Sequence, residues 1–292
     1  MTHHTPRISI GLPVYNGEKF LRKALDSLLT QTFEDFELIL SDNASTDETP
    51  AICRAYAAAD KRVRYVRNAA NIGVYRNFNR VFQLASGKYF KWAAADDVCH
   101  RDLLAKCLRV LETDSDVVAT YAKAQFMDQS GRQLDCGDPG WHLISEHPHE
   151  RMRKVIFAGH WVNLFFGLIR ADQLAKTRLF PSYPSGDYRL LGELSLLGKF
   201  HEIPEYLFQR RIHPGASSQN SSVDWQAKFY GGSCGRIGLP FWHLCLDHFI
   251  TIVKAPIGFS PKLSLIWSNF SRMRSSYPHL IRELGWAVKR HV

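Results

Sequence analysis

No stretch of this chain reaches 18 uninterrupted apolar residues, so a transmembrane span is not expected. The opening MTHHTPRISIGLPVYNGEKF has no basic patch followed by an apolar core of signal-peptide length, which makes the cytoplasm the default compartment. The six cysteines, at positions 53, 99, 107, 136, 234 and 245, form no CxxC pair and no short Cys/His ligand spacing. That argues against a zinc framework or a disulfide scaffold and leaves reduced, buried thiols. His142, His147 and His149 lie in a polar loop without i, i+4 ligand geometry and read as surface histidines. No GxGxxG follows the first apolar run and no GxxxxGK[ST] occurs, so dinucleotide oxidoreductases and P-loop NTPases lose ground. Repeats and low-complexity tracts are absent too.

What remains is an ordinary globular composition. The 292 residues are 45% hydrophobic and 22% charged, enough for one large folded domain or two small ones. The net charge of +9 is localised: residues 1–224 hold 28 basic and 26 acidic side chains, residues 225–292 hold 9 and 2. Most of the chain therefore carries no polyanion footprint, and no nucleic-acid partner is expected.

Over the first 130 residues, apolar runs alternate with amphipathic stretches. Residues 7–13, 36–42, 63–68, 88–97 and 116–128 read as strands. Between them, 17–32, 49–59, 71–86 and 100–113 read as helices, with Pro50 near the first turn of the second. Phe20, Ala24, Leu25, Leu28 and Leu29 share one face of the first. This alternation predicts right-handed βαβ units on a mainly parallel sheet flanked by helices. Such sheets bind ligands beyond the carboxyl ends of their strands. Polar residues cluster there: Asn16 and Gly17, Asp42, then Asp96 and Asp97. Residues 129–165 read as a long surface excursion with a helix near 148–158. The run 163–171 then returns to the sheet, followed by a helix near 188–198 and a strand at 202–211.

Four segments, taken in order, resemble the inverting family-2 glycosyltransferases of GT-A fold: SIGLPVYNGEKFLRKALDSLLTQTFEDFELILSDNASTDET, NIGVYRNFN, YFKWAAADD and SGDYRLLGELSLLGKFHEIPEYLFQRRIHPGASSQ. They cover most of residues 7–220; the remainder of the chain shows no such likeness. The resemblance implies a Rossmann-like GT-A domain and transfer of a sugar, with inversion, from a nucleoside diphosphate-sugar to a glycan or lipid-linked hydroxyl. It implies that Asp42 contacts the nucleobase and that Pro13, Tyr15 and Asn16 form part of the base-and-ribose loop. Asx capping of the turn at 43–47 is the alternative role for Asp42. Asp96 and Asp97 resemble the DxD-type element, whose last Asp holds Mn²⁺ or Mg²⁺ against the diphosphate. Hard cations prefer carboxylate oxygens and keep waters and phosphates as further ligands. Ala95 stands where many relatives carry the first Asp, which leaves Asp97 as the main ligand; capping of the next helix is the alternative. Asp187 matches the general base that takes the acceptor's proton, although it also sits where a helix cap belongs. His213 resembles a family histidine near the metal or diphosphate, and Arg210 and Arg211 are placed to pair with phosphate. Asn71 is expected near the donor or as a helix cap. Competing readings are a nucleotidyltransferase, disfavoured because PVYNGEKF is no triphosphate loop, and a non-catalytic nucleotide-sugar-binding protein.

Residues 225–292 read as a separate basic, aromatic-rich helical extension to the catalytic domain at 1–224. PFWHLCLDHFITIVK (240–254) is apolar nearly all round except for a stripe of His243, Asp247, Thr251 and Lys254, and Pro256 ends it. Shorter amphipathic helices are expected at 262–274 and 279–290. Trp225, Trp242, Trp267 and Trp286 lie here beside the excess of Lys and Arg. Basic residues with interfacial aromatics suit an anionic membrane surface, a peripheral site on the inner face of the membrane. Packing on the catalytic domain, or a homo-oligomer interface, is the other expectation.

Overall fold

The computed structural model describes residues 5–135, 140–158, 163–216, 229–230 and 239–289. Cys136, Cys234, Trp225, the side chain of Trp286 and the expected boundary at 224/225 lie outside the described residues. The chain runs β1 (Ile8–Val14), α1 (Glu18–Leu29), β2 (Phe36–Asp42), α2 (Thr49–Ala59), β3 (Val63–Arg67), α3 (Val74–Gln83), β4 (Tyr89–Trp92) and β5 (Val98–Cys99). It continues with α4 (Leu103–Thr113), β6 (Val117–Met127), α5 (Pro148–Phe157), β7 (Leu168–Arg170), α6 (Ala171–Leu174), α7 (Gly186–Leu197) and β8 (Lys199–Arg211). Three helices follow: α8 (Pro240–Lys254), α9 (Phe259–Ser275) and α10 (Tyr277–Lys289).

One eight-stranded sheet has the order β3-β2-β1-β4-β7-β6-β8-β5. Strands β1, β2, β3 and β4 are parallel neighbours; β7 pairs antiparallel with both β4 and β6; β8 runs parallel to β6. Only β7 and β5 thus oppose the common direction, in agreement with a mainly parallel α/β sheet flanked by helices. The central strand β1 is buried at all seven positions, as a strand covered on both faces must be. From one face α1 covers the sheet with Leu21, Ala24, Leu25 and Leu28, the spacing of a single apolar stripe. Phe20, expected on that stripe, is only half-buried and points to the site described below. On α3, Val81 meets Gly11 so closely that a Cβ at Gly11 would lie 2.6 Å from a Val81 methyl carbon, so helix and strand pack backbone to side chain.

The strand order places the switch point between β1 and β4: the chain winds to β2 and β3 on one side and to the rest on the other. The loops after β1, β2 and β4 and the end of β8 therefore converge at one end of the sheet. The strand expected over 88–97 stops at Trp92. Residues 93–97 cross the sheet end as a turn, and β5 pairs antiparallel with β8, Val98 opposite Gln209. This two-residue clip sets Asp96 and Asp97 beside Arg210 and Arg211. It also rules out helix capping as the role of the two acids, because α4 starts at Leu103 with Asp102 at its N-cap.

The C-terminal helices pack against α5 and the segment around α7. Ile252 and Leu265 form a small cluster with Met152 and Ile156 of α5. Asp247 accepts from the Tyr183 hydroxyl at 2.5 Å and pairs with Arg178 at 2.7 Å and Arg189 at 3.4 Å. Thr251 accepts from Arg178 at 2.8 Å. The polar stripe of α8 is thus in large part an inward-facing anchor, while Leu246, Phe249 and Val253 of the same helix are exposed. Among the described residues, no helix is long and apolar enough to cross a membrane.

Candidate active site

Asp42 ends β2 and is fully buried. Its Oδ1 accepts the Ser45 N–H at 2.8 Å, which is the Asx-type turn that the sequence offered as the alternative role. Its Oδ2 accepts from the Tyr65 hydroxyl at 2.9 Å and lies 3.5 Å from Arg67 Nε. Burial and this carboxylate push the Tyr65 hydroxyl up to about 12, so it stays a donor at neutral pH. Direct contact with a base would require Asp42 to exchange one of these partners. As placed, Asp42 orients the loop that follows it and the partly exposed Arg67. Pro13 is buried within β1, whereas Tyr15 and Asn16 are exposed after it. Asn16 takes a left-handed φ of 50° and its Oδ1 accepts the Thr46 N–H at 2.9 Å, tying the two loops together. Asn71 accepts from Asn43 Nδ2 at 2.8 Å and from the Gly73 N–H at 2.9 Å, and so shapes the entry to α3.

Asp96, Asp97, His213 and Arg211 form one cluster. His213 Nε2 lies 3.0 Å from Asp96 Oδ2, and the His213 ring rests against Phe20 with centroids 4.9 Å apart. Asp97 is only 6% exposed and its Oδ1 accepts the Arg211 N–H at 2.9 Å. Burial and the adjacent Asp96 carboxylate push Asp97 up to about 8, against the pull of the Arg211 N–H, Arg210 and Lys91. The donor set thus holds more negative charge than it can keep without a proton or a cation. Among the described residues no three His, Cys, Asp or Glu side chains are gathered for a metal. Asp96 and His213 pair with each other and Asp97 is turned to the Arg211 N–H, so the side chains are not converged as a closed protein site; carboxylates in such an arrangement fit a hard cation that takes most of its ligands from water and phosphate. Asp97, Asp96 and His213 are the residues that would hold it.

The two arginines separate. Arg211 is 3% exposed; its Nε donates to the Asp96 carbonyl at 2.9 Å and its Nη1 to that of Asp128 at 3.1 Å. Its guanidinium lies over Phe20, 4.7 Å from the ring centroid. It braces the Asp96–Asp97 turn rather than standing open to phosphate. Arg210 is half-buried, donates to Asn163 Oδ1 at 2.8 Å, and its charge acts on both Asp97 and Asp187.

Asp187 sits in the first turn of α7, behind Ser185 as N-cap in a left-handed conformation, φ 63°. Burial pushes its pKa up to about 6, while its own N–H, the Tyr188 N–H and Arg210 pull it down. Tyr75, Tyr188 and Tyr230 surround it, and its charge helps hold their hydroxyls protonated. Tyr75 stacks on Phe180 at 4.9 Å and 5°, and its ring centroid lies 5.1 Å from that of Tyr230. These rings pack on one another as an aromatic cluster beside the carboxyl.

The sheet thus has its switch point between β1 and β4, and the Arg210 charge reaches both the acidic cluster and Asp187. The sequence profile of glycosyl transferase family 2 matches residues 9–165, just over half of the chain. The chain belongs to that family. An uncharacterized glycosyltransferase of Haemophilus influenzae is 27% identical over 228 residues, 75% of this chain and 68% of the relative. Chondroitin synthase of Escherichia coli is 27% identical over 240 residues, 80% of this chain but 33% of the synthase. The chain therefore spans about a third of that larger relative. Among solved structures, Staphylococcus aureus TarS 1–349 in complex with UDP-GlcNAc superposes with a TM-score of 0.70 at 17% identity, over 92% of this chain and 73% of that one. Mannosyltransferase PcManGT from Pyrobaculum calidifontis, in complex with GDP-Man and Mn²⁺, superposes with a TM-score of 0.57 at 15% identity, over 98% and 81%. At such identities the superpositions show the fold, the GT-A type. With its family, the chain is a glycosyltransferase.

Sequence reasoning passed over several residues of the site. Tyr188 adjoins Asp187 in SGDYRLL, and Tyr75 lies within NIGVYRNFN; their nearness to the carboxylate depends on how α3 and α7 meet. Lys91, buried in β4 with its Nζ donating to the Phe166 carbonyl, was legible as the one charge in the YFKW strand.

Proposed function

We propose that this glycosyltransferase moves a sugar from a nucleoside diphosphate-sugar to a hydroxyl of a glycan or lipid-linked acceptor, in one inverting displacement. The observation that carries this reading is that one half-buried guanidinium, Arg210, lies close enough for its charge to act on both Asp97 and Asp187. Diphosphate belongs on the Asp97 side and the acceptor on the Asp187 side. The acceptor oxygen attacks the anomeric carbon as the bond from that carbon to the diphosphate oxygen breaks, and Asp187 takes the hydroxyl proton. Arg210 balances charge on the departing diphosphate. Bound at Asp96, Asp97 and His213, Mn²⁺ or Mg²⁺ supplies Lewis-acid stabilisation of the same leaving group. Tyr15, Asn16, Asn71 and the loop ordered by Asp42 line the nucleoside end, with Pro13 and Arg211 supporting from behind.

Calorimetric titration of UDP, dTDP, GDP and CDP, each with Mn²⁺ and with EDTA, tests it. Binding of one nucleotide that disappears in EDTA is the expected result. Metal-independent binding would overturn the cation's role and leave charge balance to Arg210 and His213. Failure of every nucleotide to bind a folded sample would overturn the donor reading.

A second proposal concerns the outer face of α9. Phe259, Leu263, Trp267 and Phe270 recur every three to four residues and are exposed, Phe259 at 77% and Trp267 at 73%. The opposite face buries Leu265, Ser268 and Asn269. The extension's two acids, Asp247 and Glu283, both turn inward, while Lys254, Arg274 and Arg282 are exposed. An aromatic stripe bordered by positive charge fits the surface of an anionic bilayer, so the enzyme sits peripherally on one. Flotation with vesicles containing 30 mol% anionic lipid tests this. Recovery of the protein with the vesicles is expected, and a dimer that shields Trp267 from quenching would instead assign the stripe to a second copy.

A further inference from the structure

Helices α5 and α7 of the catalytic domain and α8, α9 and α10 of the extension enclose a cavity of about 520 Å³ that the transfer step does not use. A larger one, about 640 Å³, lies at the amino ends of the strands around Gly87 and Arg170, away from the chemistry. The cavity under the extension is different in kind. Arg272, His279 and Arg282 line it, and among the described residues none of the three pairs with a carboxylate. The nearby acids are committed elsewhere: Asp247 to Arg178, Arg189 and Tyr183, and Glu283 to the Phe241 N–H at 3.0 Å. Arg272 rests one face on the Phe241 ring, 5.7 Å from its centroid, and its charge reaches Tyr188 and His248 across the cavity. Arg282 Nη2 lies 3.2 Å from His279 Nδ1. Two guanidinium forks with no counter-ion are a stand-by for a tetrahedral anion.

Two more observations define the cavity walls. Asn269 is 4% exposed; its Nδ2 donates to the Cys245 carbonyl at 2.9 Å, which fixes the amide and leaves Oδ1 buried without a partner. That bond ties α9 to α8 along the cavity wall. On the opposite wall stand Ser185 and Tyr188, which flank Asp187 in the first turn of α7. A ligand seated in the cavity therefore lies within one helical turn of the general base.

We propose that this cavity binds the phosphate group of a phosphorylated, hydroxyl-bearing acceptor, and so sets the acceptor hydroxyl at Asp187. The inference rests on the glycosyltransferase reading with Asp187 as base. Arg272 and Arg282 take the phosphate, and the hydroxyl extends past Tyr188 toward Asp187. Phosphate carries three acceptor oxygens and more charge than a uronate carboxylate, so it matches two guanidinium groups better.

Calorimetric titration of the full chain with glycerol 3-phosphate, and with glucuronate for comparison, tests this. Both are run with the nucleoside diphosphates present at saturation, so that the donor side is filled. Wild type should bind glycerol 3-phosphate at least tenfold more tightly than glucuronate, and Arg272→Gln and Arg282→Gln should each weaken that binding tenfold or more. Arg282 is exposed, so its replacement keeps the test valid if Arg272→Gln fails to fold. If vesicles carrying phosphatidic acid bind in an Arg272-dependent manner while the soluble ester does not, the phosphate belongs to a lipid. Equal binding by wild type and both variants, loss of binding when nucleotide is added, or no phosphate binding in either form would overturn the proposal. Nucleotide binding and donor hydrolysis report on the transferase reading by themselves, so the two failures are distinguishable.

Discussion

The sheet and the C-terminal extension solve opposite packing problems. In the sheet, apolar side chains are inside and function collects where strands stop: β1 is buried throughout, and Tyr15, Asn16, Asp96 and Asp97 appear only past the ends of β1 and β4. In the extension, much of the polarity is inside. Asp247, Thr251, Ser268 and Asn269 face the protein, and Leu246, Phe249, Leu263, Trp267 and Phe270 face out. The first arrangement is self-sufficient, because burial of the apolar strands stabilises it directly. The second is not. It stays docked through a few specific bonds and one small cluster, and it leaves an aromatic surface that has no use within the monomer. A row of exposed aromatic and aliphatic side chains of this kind suits contact with a further surface.

That contrast can be broken at several points. The largest effect belongs to the sheet's site: Asp187→Asn should lower transfer by about 10²–10⁴-fold while nucleotide binding changes only a few-fold, as read by product formation and calorimetry. In wild type the rate should fall tenfold per pH unit on the acid side of about 6, because Asp187 must be ionised to accept a proton and burial holds its pKa there. A flat pH profile from 5 to 8 would remove Asp187 as base. Next comes docking of the extension. Leu265→Ala empties a fully buried position in the cluster with Met152, Ile156 and Ile252, and should cost roughly 2–5 kcal/mol in denaturant melts. If the extension detaches before the sheet unfolds, the melt will show two steps. Asp247→Ala strips Arg189 and Arg178 of their shared partner and should cost roughly 2–3 kcal/mol, less than for a fully buried pair since Arg178 is partly exposed. Smallest of all, Trp267→Ser should change stability by less than about 0.5 kcal/mol, because that ring is exposed. The same substitution should reduce vesicle binding, and a large loss of stability would show instead that the stripe packs within the protein.

Much of the architecture was legible because period and polarity agree in the first half of the chain. Residues 36–42, 49–59 and 240–254 form their expected elements without change of boundary. Where the reading failed, short-range signals competed with long-range pairing. The run KYFKWAAADD looks like one strand because alanine and the apolar residues before it do not announce a turn; β5 forms only because β8, more than 100 residues on, offers an edge. Arg210 and Arg211 look equivalent in RRIHPG, yet neighbours in a strand point to opposite faces. One is turned to Asn163 and the site, and the other into a cage of carbonyls. The stripe on α8 was visible as spacing, but a stripe carries no label saying whether water or Arg178 lies opposite it.

By itself the sequence determined the order of strands and helices, the carboxylates that end them and the concentration of positive charge after residue 224, since these follow from local periodicity, turn chemistry and composition. Only the tertiary structure decided that the Arg210 charge reaches both Asp97 and Asp187, that Asp42 is enclosed, and that the extension packs over a cavity lined by arginines next to α7. Each of those facts depends on which distant surfaces meet, and contacts between segments a hundred or more residues apart leave no periodic trace in either segment alone.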